Sequence, residues 1–146
     1  MAATDHSQAI KQDSKDYLTT ALLQLLEKNT YSSINVSQVV RRAGVSRMAF
    51  YRNFDSLDDV LFDYFSAIIR ERFADIIQHI PPAEKLKSLE AFFKDFAKEL
   101  EMSVSQGYEP IIRQVFNENM QNFYNSLPLF DDIKEPQKRY YIKFMS

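Results

Sequence analysis

Apolar residues along this chain recur every three to four positions, and no stretch alternates apolar with polar in the manner of a strand. Ile10, Ser14, Tyr17, Leu18, Ala21, Leu22, Leu25 and Leu26 keep the helical period with polar residues between them. They predict an amphipathic helix over roughly 8–28. Asn29 and the polar residues to Ser33 end it. Asn35 then stands where an N-cap belongs, with Gln38 three residues on, and Val36, Val39, Val40 and Ala43 form the apolar stripe of a short second helix. Gly44 closes that helix, since a helix end often needs a residue at positive φ. Ser46 caps a third helix whose inward side is Val45, Ala49, Phe50 and Phe54, and Ser56 with Asp59 opens a fourth.

The fourth helix is long. Val60, Leu61, Tyr64, Phe65, Ile68, Ile69, Phe73, Ile76 and Ile77 hold the period to about His79, and Pro81–Pro82 break it. Pro82 suits the first position of the next helix, which Leu86, Leu89, Phe92, Phe93, Phe96, Ala97 and Leu100 carry to about Gln106. Gly107 punctuates. Ile111, Ile112, Val115, Phe116, Met120 and Phe123 make a further helix that stops before Pro128, and a loop with Asp131 and Asp132 follows. After Pro136 a last pattern, Tyr140, Tyr141, Phe144 and Met145, begins just before Ser146. The predicted class is all-α, without internal repeats or low-complexity tracts.

Composition narrows this further. The 146 residues include only two glycines and five prolines, which favours long helices over many short strands. Cysteine is absent, so neither a disulfide framework nor a thiolate metal site is available. That fits a reducing cytoplasm. No apolar run approaches the ~18 residues of a membrane span, and the polar start MAATDHSQAIKQDSK has no signal-peptide core. Net charge is −2, yet Arg41, Arg42, Arg47 and Arg52 lie within 36–54, where there is no Asp or Glu. From residue 61 on there are eleven basic and thirteen acidic residues. A basic island on an acidic body points to local anion recognition.

Two short helices joined by a glycine turn, behind a longer supporting helix, read as a helix-turn-helix. The outward positions of its second helix are Ser46, Arg47, Met48, Tyr51 and Arg52. Such a helix lies in the major groove with its first residues on base edges. An arginine there reaches guanine O6 and N7, Met48 suits a thymine methyl, and the Tyr51 and Ser37 hydroxyls suit phosphates. Arg41 and Arg42 add long-range attraction.

The run INVSQVVRRAGVSRMAFYRNFDSLDDVLFDYF resembles the TetR family of bacterial transcription regulators. Ala43, Gly44, Val45, Ser46, Phe50, Tyr51, Phe54 and Leu61 fall on that family's pattern, and the resemblance covers about residues 10–65. It implies a DNA-binding domain over 8–67 and a helical regulatory domain over 68–146. It also implies operator contacts at Ser37, Arg47, Met48, Ala49, Tyr51, Arg52 and Asn53. Two departures are visible. Leu57 stands where the family often has a phosphate-gripping lysine, and Asn35 replaces the usual Thr. The resemblance further implies a repressor released by a small-molecule effector, acting as a homodimer on a palindromic operator. Because family members run nearer two hundred residues and pair through their last two helices, the second domain is expected to be truncated and the dimer incomplete.

Phe92, Phe96, Phe116 and Phe123 lie on the inner faces of central helices and are the expected lining of an effector cavity, although most of the twelve phenylalanines read as core. His6 and His79 are too isolated for a metal site, and Asp58–Asp59 and Asp131–Asp132 read as a helix-end pair and a solvated loop. No catalytic or cofactor motif appears, so neither an enzyme nor a cofactor is expected. The competing reading is a helical protein-interaction module with a vestigial helix-turn-helix.

Overall fold

The computed structural model describes residues 2–127, with side chains from residue 9. Its helices are α1 (Ala2–Leu26), α2 (Val36–Ala43), α3 (Arg47–Asn53), α4 (Leu57–His79), α5 (Lys85–Gln106) and α6 (Glu109–Asn125). Short 3-10 turns occupy Tyr31–Ser33 and Pro82–Glu84. No strand occurs among the described residues, and the fold class is all-α. Among the same residues no helix is long and apolar enough to cross a membrane. The aromatic pattern at Tyr140–Met145 and the acidic pair Asp131–Asp132 lie outside the described residues.

Two compact units are present. Among the described residues, the first holds 2–64 together with Val104–Tyr108; the second holds Phe65–Ser103 together with 109–127.

In the first unit, Leu18, Leu22 and Leu26 of α1, Val39 of α2, Phe50 of α3, and Val60 and Leu61 of α4 have no exposed surface. Together with Ile34, Phe54 and Tyr108 they make its core. Helix α1 reaches back further than the apolar period predicted and ends two residues sooner. The Asn29 amide N–H and side-chain Nδ2 both donate to Leu25 O, at 3.0 and 2.9 Å, which turns the chain. Ile10 and Tyr17, expected on the apolar stripe, are 53% and 58% exposed. At about 100° per residue they fall just beside the arc that Leu18, Ala21, Leu22 and Leu26 bury. The Gln106 side chain donates to Leu26 O at 2.6 Å, and the Tyr108 ring meets Tyr31 edge-on at 6.3 Å. The end of α5 and the turn after it are thereby fixed into the first unit.

The second unit is built of rings. Phe73 of α4 is 1% exposed and meets Phe92, Phe116 and Phe123 at centroid distances of 5.8, 6.0 and 6.1 Å. Phe92 stacks on Phe96 at 5.5 Å, and Phe65 meets Phe96 edge-on at 6.0 Å. Each such pair adds about 0.5–1.5 kcal/mol beyond the burial of its area. Pro82 opens the 3-10 turn rather than α5 itself, and Leu86 is 56% exposed although the apolar stripe included it. The inward place belongs to Lys85, which leads the row Lys85, Leu89, Phe92, Phe96 and is 5% exposed. Its Nζ donates to Ser126 O at 3.3 Å, just past the end of α6, where a cation meets the negative end of a helix.

Candidate nucleic-acid interface

The geometry of α2 and α3 follows from three short-range devices. Asn35 Oδ1 accepts from the Gln38 N–H at 2.9 Å while Gln38 Oε1 accepts from the Asn35 N–H at 2.8 Å, a closed capping box. At the other end, Gly44 takes φ 72°, ψ 26°. Its N–H donates to Arg41 O at 3.3 Å and the Val45 N–H to Val40 O at 3.2 Å, the paired bonds of a Schellman end. Ser46 Oγ then accepts from the Ala49 N–H at 3.0 Å and starts α3. Phe50 and Phe54 anchor α3 from below: both are buried, with centroids 5.9 Å apart, and Lys15 of α1 lies over the Phe54 ring at 5.6 Å.

With Phe50 and Phe54 inward, α3 turns Arg47, Met48, Tyr51 and Arg52 outward, all exposed. Met48 and Tyr51 are 65% and 49% exposed, large values for apolar or aromatic residues. Ala49 is half-buried between the two faces. Asn53 is half-buried as well: its Nδ2 donates to Ala49 O at 2.8 Å, and its Oδ1 is buried without an acceptor's partner among the described residues. Ser37, on the first turn of α2, comes to the same surface, because Arg47 Nη1 donates to Ser37 Oγ at 2.9 Å. The Arg47 guanidinium also lies over the Tyr51 ring at 5.6 Å. Arg52 Nη2 reaches Met48 Sδ at 3.1 Å.

The arginines of α2 differ in employment. Arg42 Nε donates to Gln24 Oε1 of α1 at 2.9 Å, so this residue ties two helices together. Arg41 is exposed in the last turn of α2, where positive charge meets the helix dipole favourably. Neither the Arg42–Gln24 bond nor the Arg47–Ser37 bond has a sequence signal, since the partners lie 18 and 10 residues apart.

The start of α4 is acidic. Leu57 is its first residue, followed by Asp58 and Asp59. Ser56 Oγ accepts from the Asp59 N–H at 3.4 Å and Asp59 Oδ2 accepts from the Asp55 N–H at 3.0 Å. The Tyr31 hydroxyl donates to the Asp58 carboxylate. Burial pushes the Tyr31 phenol well above its usual range, and the hydrogen bond to Asp58 and the charges of Asp58 and Asp59 push it the same way. Sequence reasoning missed this Tyr31–Asp58 link.

Residues 18–64 match the family described as bacterial regulatory proteins, tetR family. The N-terminal unit is a TetR-family helix-turn-helix DNA-binding domain. The matched stretch takes in the capping box, the Gly44 turn and the whole of α3. The match covers about a third of the chain and supports a role in DNA binding and transcription regulation. A comparison with curated proteins gives no match.

The four phenylalanines expected around an effector cavity sit in the second unit and mostly fill space against one another. Phe92 borders one groove of about 560 Å³, with Ile68, Arg72 and His79. Phe116 borders another of about 380 Å³, with Leu89, Phe93, Met120 and Tyr124. Phe96 and Phe123 border neither. Inner helix faces were identified, but large rings at these spacings close on each other. Among the described residues no group of three His, Cys, Asp or Glu side chains could hold a metal ion.

Proposed function

We propose that this regulator is a repressor that binds a two-half-site operator through Ser37, Arg47, Met48, Ala49, Tyr51, Arg52 and Asn53, and that a small molecule releases it. The observation that carries the DNA-contact assignment is the outward face of α3: two arginines, a methionine and a tyrosine, next to Ser37, in a segment without a single acid from Asn29 to Phe54. Such a face attracts the phosphate backbone and offers donors and an apolar tip to the major groove.

Release would work as a population shift. A ligand that binds better when the two recognition helices of a dimer are wrongly spaced lowers operator affinity by its own differential affinity. The apolar groove bordered by Leu89, Phe93, Phe116 and Met120 is the effector site that this reading favours. Selection of bound sequences from random duplexes tests the first part. A recurrent two-fold sequence, bound more weakly as salt rises, is the expected result. Binding that is indifferent to both sequence and salt would leave the interaction-module reading instead.

A further inference from the structure

We propose that Arg47 is the phosphate clamp of this helix-turn-helix, acting with Ser37 and Tyr51, and that base preference falls to Met48 and Arg52. The proposal rests on the DNA-binding reading above and reverses the role that position alone suggests, since an arginine opening a recognition helix would ordinarily be assigned to guanine.

The argument starts from where the guanidinium is held. Arg47 Nη1 donates to Ser37 Oγ at 2.9 Å and the group lies over the Tyr51 ring at 5.6 Å. Its tip therefore bridges the first turn of α2 and the Tyr51 ring of α3. Donors of the kind that phosphates use lie on both sides of this guanidinium. The guanidinium has five N–H donors and spends one on Ser37. The Ser37 hydroxyl accepts that bond and keeps its own proton to give. Tyr51 is half exposed, and its hydroxyl has no partner among the described residues. The Ser37 amide adds to these, because it belongs to the first turn of α2, where helical N–H groups lack intrahelical acceptors. A phosphodiester carries two non-bridging oxygens, and an arginine fork fits both.

A second observation explains why a clamp is needed at this place. Leu57 opens α4, and Asp58 and Asp59 follow it. No Lys or Arg stands in this first turn, which holds two carboxylates instead. A cation held beside Ser37 supplies the grip that α4 does not.

The remaining outward residues are freer to read bases. Met48 is the most exposed large hydrophobic residue of α3. Among the described residues the hydrogen bond of Arg52 goes to the Met48 sulfur, a weak acceptor, so moving to a base edge costs it little.

The test compares the full chain with Arg47→Ala, Arg47→Lys and Met48→Ala on the duplex selected from random sequences and on a scrambled duplex, over a range of salt. Arg47→Ala is expected to weaken both duplexes by the same factor, about tenfold. It should also flatten the dependence of log affinity on log salt by about one unit, the signature of one lost phosphate contact. Arg47→Lys keeps the charge and should retain most of that slope. Met48→Ala should leave the slope alone and narrow the gap between the two duplexes. The proposal is overturned if Arg47→Ala narrows the gap with the slope unchanged, because Arg47 is then a base reader. If the unaltered chain binds neither duplex in a salt-dependent way, the DNA-binding reading itself fails and takes the clamp with it.

Discussion

The two units of this protein solve different problems with different chemistry. In the first, structure is set by short-range polar devices: the Asn35–Gln38 box, the left-handed Gly44, and the Ser46 cap, all within twelve residues. Its outward side chains are tied lightly to one or two neighbours each. In the second, the fixing is done by aromatic rings meeting at 5.5–6.1 Å across three helices. The difference teaches where chemistry can be exposed. Caps and turns hold α3 from its ends and two rings hold it from below, which leaves Arg47, Met48, Tyr51 and Arg52 exposed on its outer side. The ring cluster spends its side chains on one another, and Phe92 and Phe116 border grooves at its edges.

The strongest way to break this comparison is at the centre of the cluster. Phe73→Ala removes the ring that Phe92, Phe116 and Phe123 all touch. The expected loss is about 3–5 kcal/mol, the usual cost of Phe→Ala in a packed core. Urea unfolding measures it. A loss below ~1 kcal/mol would mean that the rings line a yielding cavity, as the sequence alone suggested.

That expectation shows where sequence reading stops. The caps at Asn35, Ser46 and Ser56, the glycine turn and the inward Phe50 and Phe54 were legible, because each is a local signal with a fixed offset. The outward set on α3 followed from the same period. Leu86 was misread as inward and Lys85 was passed over, because one residue of phase at the start of α5 decides which side chain turns inward, and Pro82 opens a 3-10 turn that shifts that phase. The ties Arg47–Ser37, Arg42–Gln24 and Tyr31–Asp58 join different elements, and no periodicity announces such pairs. For the same reason inner-face phenylalanines could be found while their mutual closure could not.

Tyr31→Phe sharpens the comparison on the polar side. It keeps the edge-on contact with Tyr108 and removes the bond to Asp58. The expected cost is ~1–1.5 kcal/mol at neutral pH. The pH dependence has a definite sign. The folded phenol titrates higher than the unfolded one, so its contribution is complete below about pH 10 and is lost as pH rises beyond that. Unfolding followed from pH 8 to 11 should show a falling arm that is shallower in Tyr31→Phe. Equal arms in the two proteins would remove the Tyr31–Asp58 bond from the account.

Gly44→Ala is a smaller perturbation and a cleaner one. A Cβ built on Gly44 meets nothing within 4 Å, so only the backbone angle resists it. Left-handed geometry costs an alanine ~1–2 kcal/mol, and the stiffer unfolded chain offsets ~0.4–1 of that. A net loss near ~1 kcal/mol in thermal or urea unfolding is expected. Gly44→Asn should lose less, since Asn tolerates that region. Equal losses for the two would point to a steric cause instead.

The smallest expected effect on stability is at Tyr51, and it is the most informative about the exposed face. Tyr51→Phe keeps the ring edge-on to Phe50 at 5.0 Å and beneath the Arg47 guanidinium at 5.6 Å, and deletes one hydroxyl that has no partner among the described residues. Unfolding should therefore shift by less than ~0.5 kcal/mol, the range of surface changes that touch no special feature. DNA affinity should fall, because a phosphate loses a donor, and it should fall by a similar factor on every duplex, since a phosphate carries no sequence. A single neutral donor corresponds to ~0.5–1.5 kcal/mol, or roughly two- to twelvefold in affinity. Binding measured on selected and scrambled duplexes, beside a melting curve, separates the cases. A much lower melting temperature would make the hydroxyl part of the fold. A loss confined to the selected duplex would put it on a base edge, and Tyr51 would then leave the phosphate-binding group that it is placed in with Ser37 and Arg47.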